Sequence, residues 1–281
     1  APPRPPAVAE VPATPGPVLA WRVVTEGRTS FLVAVPPYPA RLDEALPPPW
    51  SADLARPTRL FLLGGAEAVA GLLVRHGLVS ARTDLRMVLG EEPFSRLASR
   101  LGSIDGRTHR TALASMDVRG ASLVLILAEL GYRAPGEGVL DQLVERTVGH
   151  GGTVAPLLDA AAFARWAESA SEADVAGDLL ERIADPGRTA RWSDAQRAAY
   201  ERADLSALAR SCEEPERTES WNEATRRSNR ELAAALVEPV RVALTGEPAV
   251  VALDGCVLAG EAGLLAGLRT VGLELAPLVE R

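Results

Sequence analysis

The segment that decides the fold lies at residues 250–265 and reads VVALDGCVLAGEAGLL. Its first four residues are apolar and include two valines, which is typical of a buried strand. Asp254 and Gly255 then mark a turn, and the residues after them indicate the start of a helix. The segment therefore predicts a strand–turn–helix unit of the kind found in α/β folds.

Working outward from this unit, strands and helices alternate along the chain. We expect a hairpin from residues 18–24 and 30–35, and further strands at 58–63, 153–158 and 273–279. Helices are predicted at 67–75, 93–101, 110–117, 121–130, 138–148, 160–169, 173–183, 194–209, 219–236 and 261–270. The predicted fold class is α/β: a mixed β-sheet with an N-terminal β-hairpin, flanked by helices, plus a helical insert that forms a cap lobe.

The chain divides into two predicted regions. Residues 1–18 contain many prolines without apolar periodicity, so we expect a disordered leader. Residues 19–281 are predicted to form a single α/β domain, with a helical insert at about 160–236. The 281 residues, 47% of them hydrophobic, are enough for a sizeable core.

Charge and composition exclude some partners and indicate a location. The net charge of −7 disfavours nucleic acid, and no apolar run is long enough for a transmembrane segment. The chain begins with Ala1 rather than methionine, which fits a signal peptide that has been removed. A periplasmic or secreted protein is therefore expected, with a cytoplasmic one as the alternative. Cys212 and Cys256 allow either one disulfide or, as we favour here, buried free thiols.

Several motifs in order resemble the TraB/GumN family, which includes Tiki and belongs to a superfamily with EreA and ChaN. Residues 254–264 resemble its pattern Gly-x-Gly-His-Leu-x-Gly-x-x-Gly-Leu, with Cys256 in the glycine position before the histidine and Val257 in the histidine position. Trp21 lies in its opening strand motif. Residues 200–205 resemble its aromatic-x-x-Gly-Asp-Leu junction, and Asn229 matches an asparagine of its long helix. The resemblance covers residues 19–280 and implies a metal-dependent peptidase or hydrolase ancestry.

The chain departs from the family at the positions that would hold the metal. Ala34 and Pro37 replace the Gly-x-x-His of a strand end, Gly64 and Leu158 stand where two carboxylates are expected, and Val257 replaces the second histidine. A catalytic metal needs about three lone-pair donors, and none of these side chains supplies one. The resemblance therefore implies a degenerate metal site, with no catalytic residue and no metal ligand.

Other polar residues suggest a ligand pocket in place of that site. Asp254 and Glu261 flank the turn after the last buried strand, where α/β sheets bind ligands, and Asn229 completes the candidate set. Each also has a structural interpretation, as a turn cap or a residue near a helix N-terminus. The histidines His76, His109 and His150 are interpreted as surface or capping residues, with His76 close to terminal helix carbonyls.

Two functions compete at this point. The first is a catalytically inactive TraB/GumN relative, a pseudoenzyme that acts as a binding or accessory protein of the bacterial cell envelope. Its ligand would be a peptide, a polysaccharide or an envelope protein, and it would need no cofactor. The alternative is a metal-dependent hydrolase or peptidase with Mn, Co or Zn and a rebuilt site. That site would draw on Asp254, Glu261, Asp159 or Glu67. The residues predict no oligomeric state.

Overall fold

The computed structural model describes most of the chain after the proline-rich start. The described residues are 19–42, 58–65, 68, 71–72, 74–78, 84–106, 110–132, 138–212 and 219–278. The predicted leader at 1–18 lies outside them, as do Glu67 and His109.

The described residues form a mixed six-stranded sheet with the order β4-β3-β5-β2-β1-β6. Strands β2, β5, β3 and β4 run parallel to one another, while β1 pairs antiparallel with β2 and with β6. The strands are β1 Ala20–Thr25, β2 Arg28–Val35, β3 Arg59–Leu62, β4 Thr153–Pro156, β5 Val250–Asp254 and β6 Ala276–Pro277. The predicted α/β class with an N-terminal hairpin is confirmed.

Helices make up the remaining regular structure of the described residues, together with a π-helical turn at Val74–Leu78. The first six are α1 Leu85–Leu89, α2 Glu91–Asp105, α3 Arg110–Ala114, α4 Val118–Glu129, α5 Val139–Gly149 and α6 Ala160–Ala167. They are followed by α7 Glu172–Ala184, α8 Arg188–Glu201, α9 Leu205–Ser211, α10 Glu219–Thr245, α11 Gly255–Leu258 and α12 Leu264–Thr270.

Local backbone chemistry explains where two elements begin and end. Glu26 and Gly27 both have positive φ, at 51° and 79°, which suits the two-residue turn between β1 and β2. The last strand is shorter than the predicted 273–279, because Leu273 still closes the end of α12 by donating to the carbonyl of Leu268. Only Ala276–Pro277 joins the sheet.

The two faces of the sheet bury different residues. Along β2, Leu32 and Ala34 join a large core cluster, whereas Val33 and Val35 join a smaller one on the opposite face. Helices α8 to α12 cover the first face, and α5 covers the second with Val139 and Leu143. This alternation is the period of two expected for a sheet buried on both sides.

A helical lobe has its own core, which is built from two stretches of sequence. Buried residues of α1, α2 and α4 pack against Val175, Leu179 and Ile183 of α7. The prediction placed the insert at 160–236 alone, but the lobe also includes residues 85–129. Helices α8, α9 and α10 of the predicted insert pack instead on the sheet.

Buried ion pairs connect helices of this lobe to one another and to α8. Asp178 accepts from Arg182 at 3.0 Å and lies 3.4 Å from Arg188, and all three side chains are at most 5% exposed. Arg100 of α2 pairs with Glu129 of α4, and burial raises the pKa of Glu129. Charged groups that are this buried depend on their partners.

Candidate functional site

The carboxyl ends of four parallel strands meet at one edge of the sheet. Ala34 of β2 lies in register with Leu253 of β5, and Val35 with Asp254. Beyond β3 and β4, the amide of Leu158 donates to the carbonyl of Leu63, the residue before Gly64. The five positions of the degenerate metal site therefore lie at this edge of the sheet. Each is at the end of a parallel strand, shortly after one, or in the helix that follows one: Ala34, Pro37, Gly64, Leu158 and Val257.

Apolar packing occupies this edge. Ala34 and Val257 are 2% and 3% exposed and belong to the large core cluster, with Leu158 packed against it. At Gly64, a Cβ atom would come within 2.6 Å of the Phe163 ring. Pro37 contributes its carbonyl oxygen, which accepts a hydrogen bond from the Tyr132 hydroxyl at 3.2 Å.

Tyr200 of α8 joins the ends of the two central strands. Its hydroxyl donates to the carbonyl of Val35 at 2.5 Å and accepts from the amide of Gly255 at 3.1 Å. A Cβ atom at Gly255 would lie 2.6 Å from this hydroxyl and 2.3 Å from Leu208 of α9. Glycine is therefore required at position 255 for α8 and α9 to approach the strand ends so closely.

A second tyrosine and an arginine extend this cluster. The ring of Tyr38 meets that of Tyr200 edge-to-face with centroids 5.9 Å apart, and the Arg197 guanidinium lies 4.4 Å from the centre of the Tyr38 ring. Burial raises the pKa of Tyr38 to about 12, although the charge of Arg197 acts to lower it. Burial, reinforced by the negative charge of Asp254, raises the pKa of Tyr200 well above its usual value. Both phenols are thus neutral at physiological pH.

Asp254 caps α11 at the end of β5. Its Oδ1 accepts from the amide of Cys256 at 2.7 Å, which is the usual role of aspartate at a helix N-terminus. Burial raises the pKa of this carboxyl to about 6, and the hydrogen bond from Cys256 only partly opposes the shift. The capping interpretation of Asp254 thus describes its contacts.

The residues at the strand ends do not fit a divalent cation. Ala34, Pro37, Gly64, Leu158 and Val257 present no side-chain donor, and among the described residues no group of three or more His, Cys, Asp or Glu side chains is arranged to hold a metal. Two carboxylates of the alternative rebuilt site, Asp159 and Asp254, follow or end strands that are not neighbours in the sheet. Asp159 caps α6 by accepting from Ala162 at 2.7 Å, and β3 separates its strand from that of Asp254.

A cavity of about 540 Å³ lies beside the strand ends, between α9, α10 and the segment that follows β5. Its walls include the Cys212–Cys256 disulfide, Val257 and the loop from Ala259 to Gly263. Two of the predicted pocket residues, Asn229 and Glu261, line this cavity, whereas Asp254 does not.

Three arginines outside the predicted pocket set also line this cavity. They are Arg210 of α9 and Arg226 and Arg230 of α10. Arg226 and Arg230 are four residues apart, a spacing that places them on one helix face together with Asn229. That spacing was visible in the sequence. Arg210 joins this cavity because α9 packs against α11, which lies far from it in sequence.

The disulfide joins two walls of the cavity. Cys212 follows the last turn of α9 and Cys256 lies in α11, with Cα atoms 5.6 Å apart. The expectation of free thiols is therefore wrong. The two cysteines are 44 residues apart in sequence, so only the fold shows that they lie within bridging distance. Gln196 of α8 donates to the carbonyl of Ser211 at 3.4 Å and contacts the Cys256 sulfur at 3.5 Å, which supports the bridge from below.

The two described histidines, His76 and His150, do not line this cavity. His76 contacts two carboxylates, with Nδ1 2.6 Å from Asp117 Oδ2 and Nε2 3.1 Å from Glu168 Oε1. The predicted contact of its side chain with helix-terminal carbonyls is thus replaced by a link between the π-helical turn, α4 and the end of α6. His150 is exposed at the C-terminus of α5, as predicted for a capping residue.

Comparison with known proteins finds no significant match among family models, curated proteins or solved structures. The TraB/GumN resemblance therefore rests on the sequence motifs alone. Over the residues that the structure describes, no helix is both long and apolar enough to cross a membrane. The disulfide is consistent with an extracytoplasmic location, where such bonds persist.

Proposed function

We propose that this chain is a non-enzymatic binding protein of the bacterial cell envelope, a divergent TraB/GumN relative that acts as a pseudoenzyme. Its ligand occupies the cavity between α9, α10 and the segment after β5. The observation that carries this proposal is the contrast between a strand edge filled by packed side chains and an adjacent open cavity of about 540 Å³.

The filled strand edge supports a function without metal chemistry. Parallel α/β sheets bind ligands beyond the carboxyl ends of their strands. Here Tyr200 hydrogen-bonds to both central strand ends, and Ala34 and Val257 belong to the core. A substrate at that edge would have to displace buried aromatic and aliphatic side chains.

The neighbouring cavity supports binding, because its size lies in the range of small-molecule and peptide-side-chain pockets. The disulfide holds two of its walls together, and α10 forms a third. Asn229 and Glu261 provide polar groups that orient a ligand. A peptide, a polysaccharide segment or part of an envelope protein would fit these requirements.

An export route also fits the disulfide. Structural disulfides persist in the periplasm and outside the cell, whereas cytosolic thiols are kept reduced. We therefore place the protein in the periplasm or the secreted fraction, with function tied to the oxidised form.

A ligand screen with a blocked cavity tests this function. Ala262 is exposed and lines the cavity, so Ala262→Trp would fill it without disturbing the core. Ala234→Trp, at an exposed position on α10 outside the cavity, is the matched control. A panel of short peptides and envelope oligosaccharides should contain ligands that raise the Tm of the wild type and of the control but not of Ala262→Trp.

Two results would contradict the proposal. One is a ligand that raises the Tm of all three proteins equally, since it would bind elsewhere. The other is peptide hydrolysis that depends on Mn²⁺, Co²⁺ or Zn²⁺ and disappears in Asp254→Asn, since the strand edge would then be catalytic.

A further inference from the structure

We infer that the cavity selects anionic ligands, those with two or more carboxylate or phosphate groups. This inference rests on the proposed function and specifies the ligand's chemistry. Among the residues that the structure describes, the charged side chains that line the cavity are three arginines, Arg210, Arg226 and Arg230, against one glutamate, Glu261. The chain as a whole has a net charge of −7, so this local excess of positive charge is the reverse of the general balance.

The arginines of α10 differ according to the face on which they lie. Arg227, outside the cavity, pairs with Glu223 one turn earlier at 3.6 Å. Arg230, inside it, has Arg226 at the same spacing, so two like charges share the face that lines the cavity. A ligand anion at this face would meet the exposed guanidinium group of Arg230.

The unpaired cationic groups point to the same ligand class. Among the residues that the structure describes, Arg210 and Arg230 form no ion pair, and both side chains are exposed. Arginine binds carboxylate and phosphate oxygens through two parallel N–H donors. Guanidinium groups from α9 and from α10 line the same cavity, which suits a ligand with at least two anionic groups.

The other cavity residues set the remaining requirements. The Asn229 side-chain amide is positioned on the same face of α10 and supplies a further donor. Glu261 accepts hydrogen bonds, so a hydroxyl or ammonium group on the ligand is matched, while a negatively charged group beside it is disfavoured. The disulfide fixes the distance between α9 and α11, and with it the position of Arg210.

Nuclear magnetic resonance on the full chain tests this inference. The probes are citrate, inorganic phosphate, the neutral sugar maltotriose and the cation trilysine, each titrated at low salt. We expect citrate and phosphate to shift the backbone amides of Gly260 and Gly263 and the side-chain amide of Asn229. Citrate should bind more tightly, and added sodium chloride should weaken both because it screens the charges.

Charge variants locate the interaction. Arg210→Gln and Arg230→Gln should each weaken citrate binding by about tenfold, the loss expected for one charge-assisted contact. Arg269→Gln removes an exposed arginine from the neighbouring helix α12, outside the cavity, and should leave the affinity unchanged.

The outcomes separate this inference from the proposed function. If maltotriose or trilysine shifts the cavity amides and the anions do not, anion selectivity is wrong while binding in the cavity stands. If the anions shift no cavity amide, or if Arg269→Gln weakens binding as much as Arg210→Gln, the inference is overturned. Failure of the ligand screen with Ala262→Trp would instead overturn the proposed function.

Discussion

The helical lobe and the strand edge use charge in opposite ways. In the lobe, Asp178, Arg182 and Arg188 are buried together, and their mutual contacts hold α7 against α8. At the strand edge, neutral groups make the stabilising contacts. Tyr200 hydrogen-bonds to two strand ends, and aliphatic side chains fill the remaining space. Asp254 is the carboxyl group at the end of β5, and burial raises its pKa to about 6.

The comparison indicates which region of the molecule has side chains available to bind a ligand. In the lobe, each of these buried charged side chains lies beside an oppositely charged partner, so none of them is available to bind a ligand. The strand edge is not available either, because packed side chains fill it and Tyr200 hydrogen-bonds to the strand ends. The cavity is different, since its arginines include side chains without an ion pair among the described residues.

Breaking the ion network should have the largest effect. Asp178→Ala leaves Arg182 and Arg188 without their shared buried carboxylate, so we expect the free energy of unfolding to fall by about 3–5 kcal/mol. Urea denaturation followed by circular dichroism measures the change. Glu181→Ala removes a half-exposed partner of Arg188 and should cost under about 1 kcal/mol. Equal losses in the two variants would mean that burial does not strengthen the network.

Removing the disulfide should have the next largest effect. The bridge closes a loop of 44 residues, so the variant with both Cys212→Ser and Cys256→Ser should lose about 2–4 kcal/mol of stability. Cavity binding should weaken as well, because α9 and α11 are no longer joined. Thermal unfolding of the wild type with and without a reductant gives an independent measurement. No change in Tm on reduction would contradict the prediction.

Tyr200→Phe should destabilise the strand edge by about 1–3 kcal/mol, because the carbonyl of Val35 and the amide of Gly255 would lose their buried partner. Tyr38→Phe is the matched control, since the Tyr38 hydroxyl forms no hydrogen bond with the described residues. Chemical denaturation of both variants should separate them. A larger loss for Tyr38→Phe would show that Tyr200 does not join the strands as described.

The last effect concerns Asp254 and differs from the others because it depends on pH. The unfolded carboxyl ionises near 3.8 and the folded one near 6, so the wild type loses stability as pH rises across that window. Asp254→Asn keeps an oxygen for the Cys256 amide but carries no charge. We expect it to be more stable than the wild type by about 3 kcal/mol at pH 7.5, which is about 1.4 kcal/mol for each unit of the pKa shift, and this difference should become small at pH 4. A variant that is less stable at pH 7.5 would contradict this sign.

Much of the fold could be predicted because local patterns specify it. The apolar run at 250–253 and the turn at Gly255 predicted β5 and the helix start after it, and the hairpin followed from the turn at Glu26 and Gly27. Less could be predicted of the helical lobe, since its core joins α7 to α2 and α4 across a long separation in sequence. Amphipathic patterns show which face of a helix is buried but not which helix buries it.

The candidate site divides along the same line. The sequence by itself determined that Ala34, Pro37, Gly64, Leu158 and Val257 lack metal-binding side chains, because residue chemistry does not depend on the fold. The tertiary structure was needed to show that Cys212 and Cys256 form a bridge, that Tyr200 lies at the strand ends, and that Arg210 and Arg230 line the same cavity. These arrangements arise from the docking of helices that are distant in sequence, and such contacts leave no local signal in the chain.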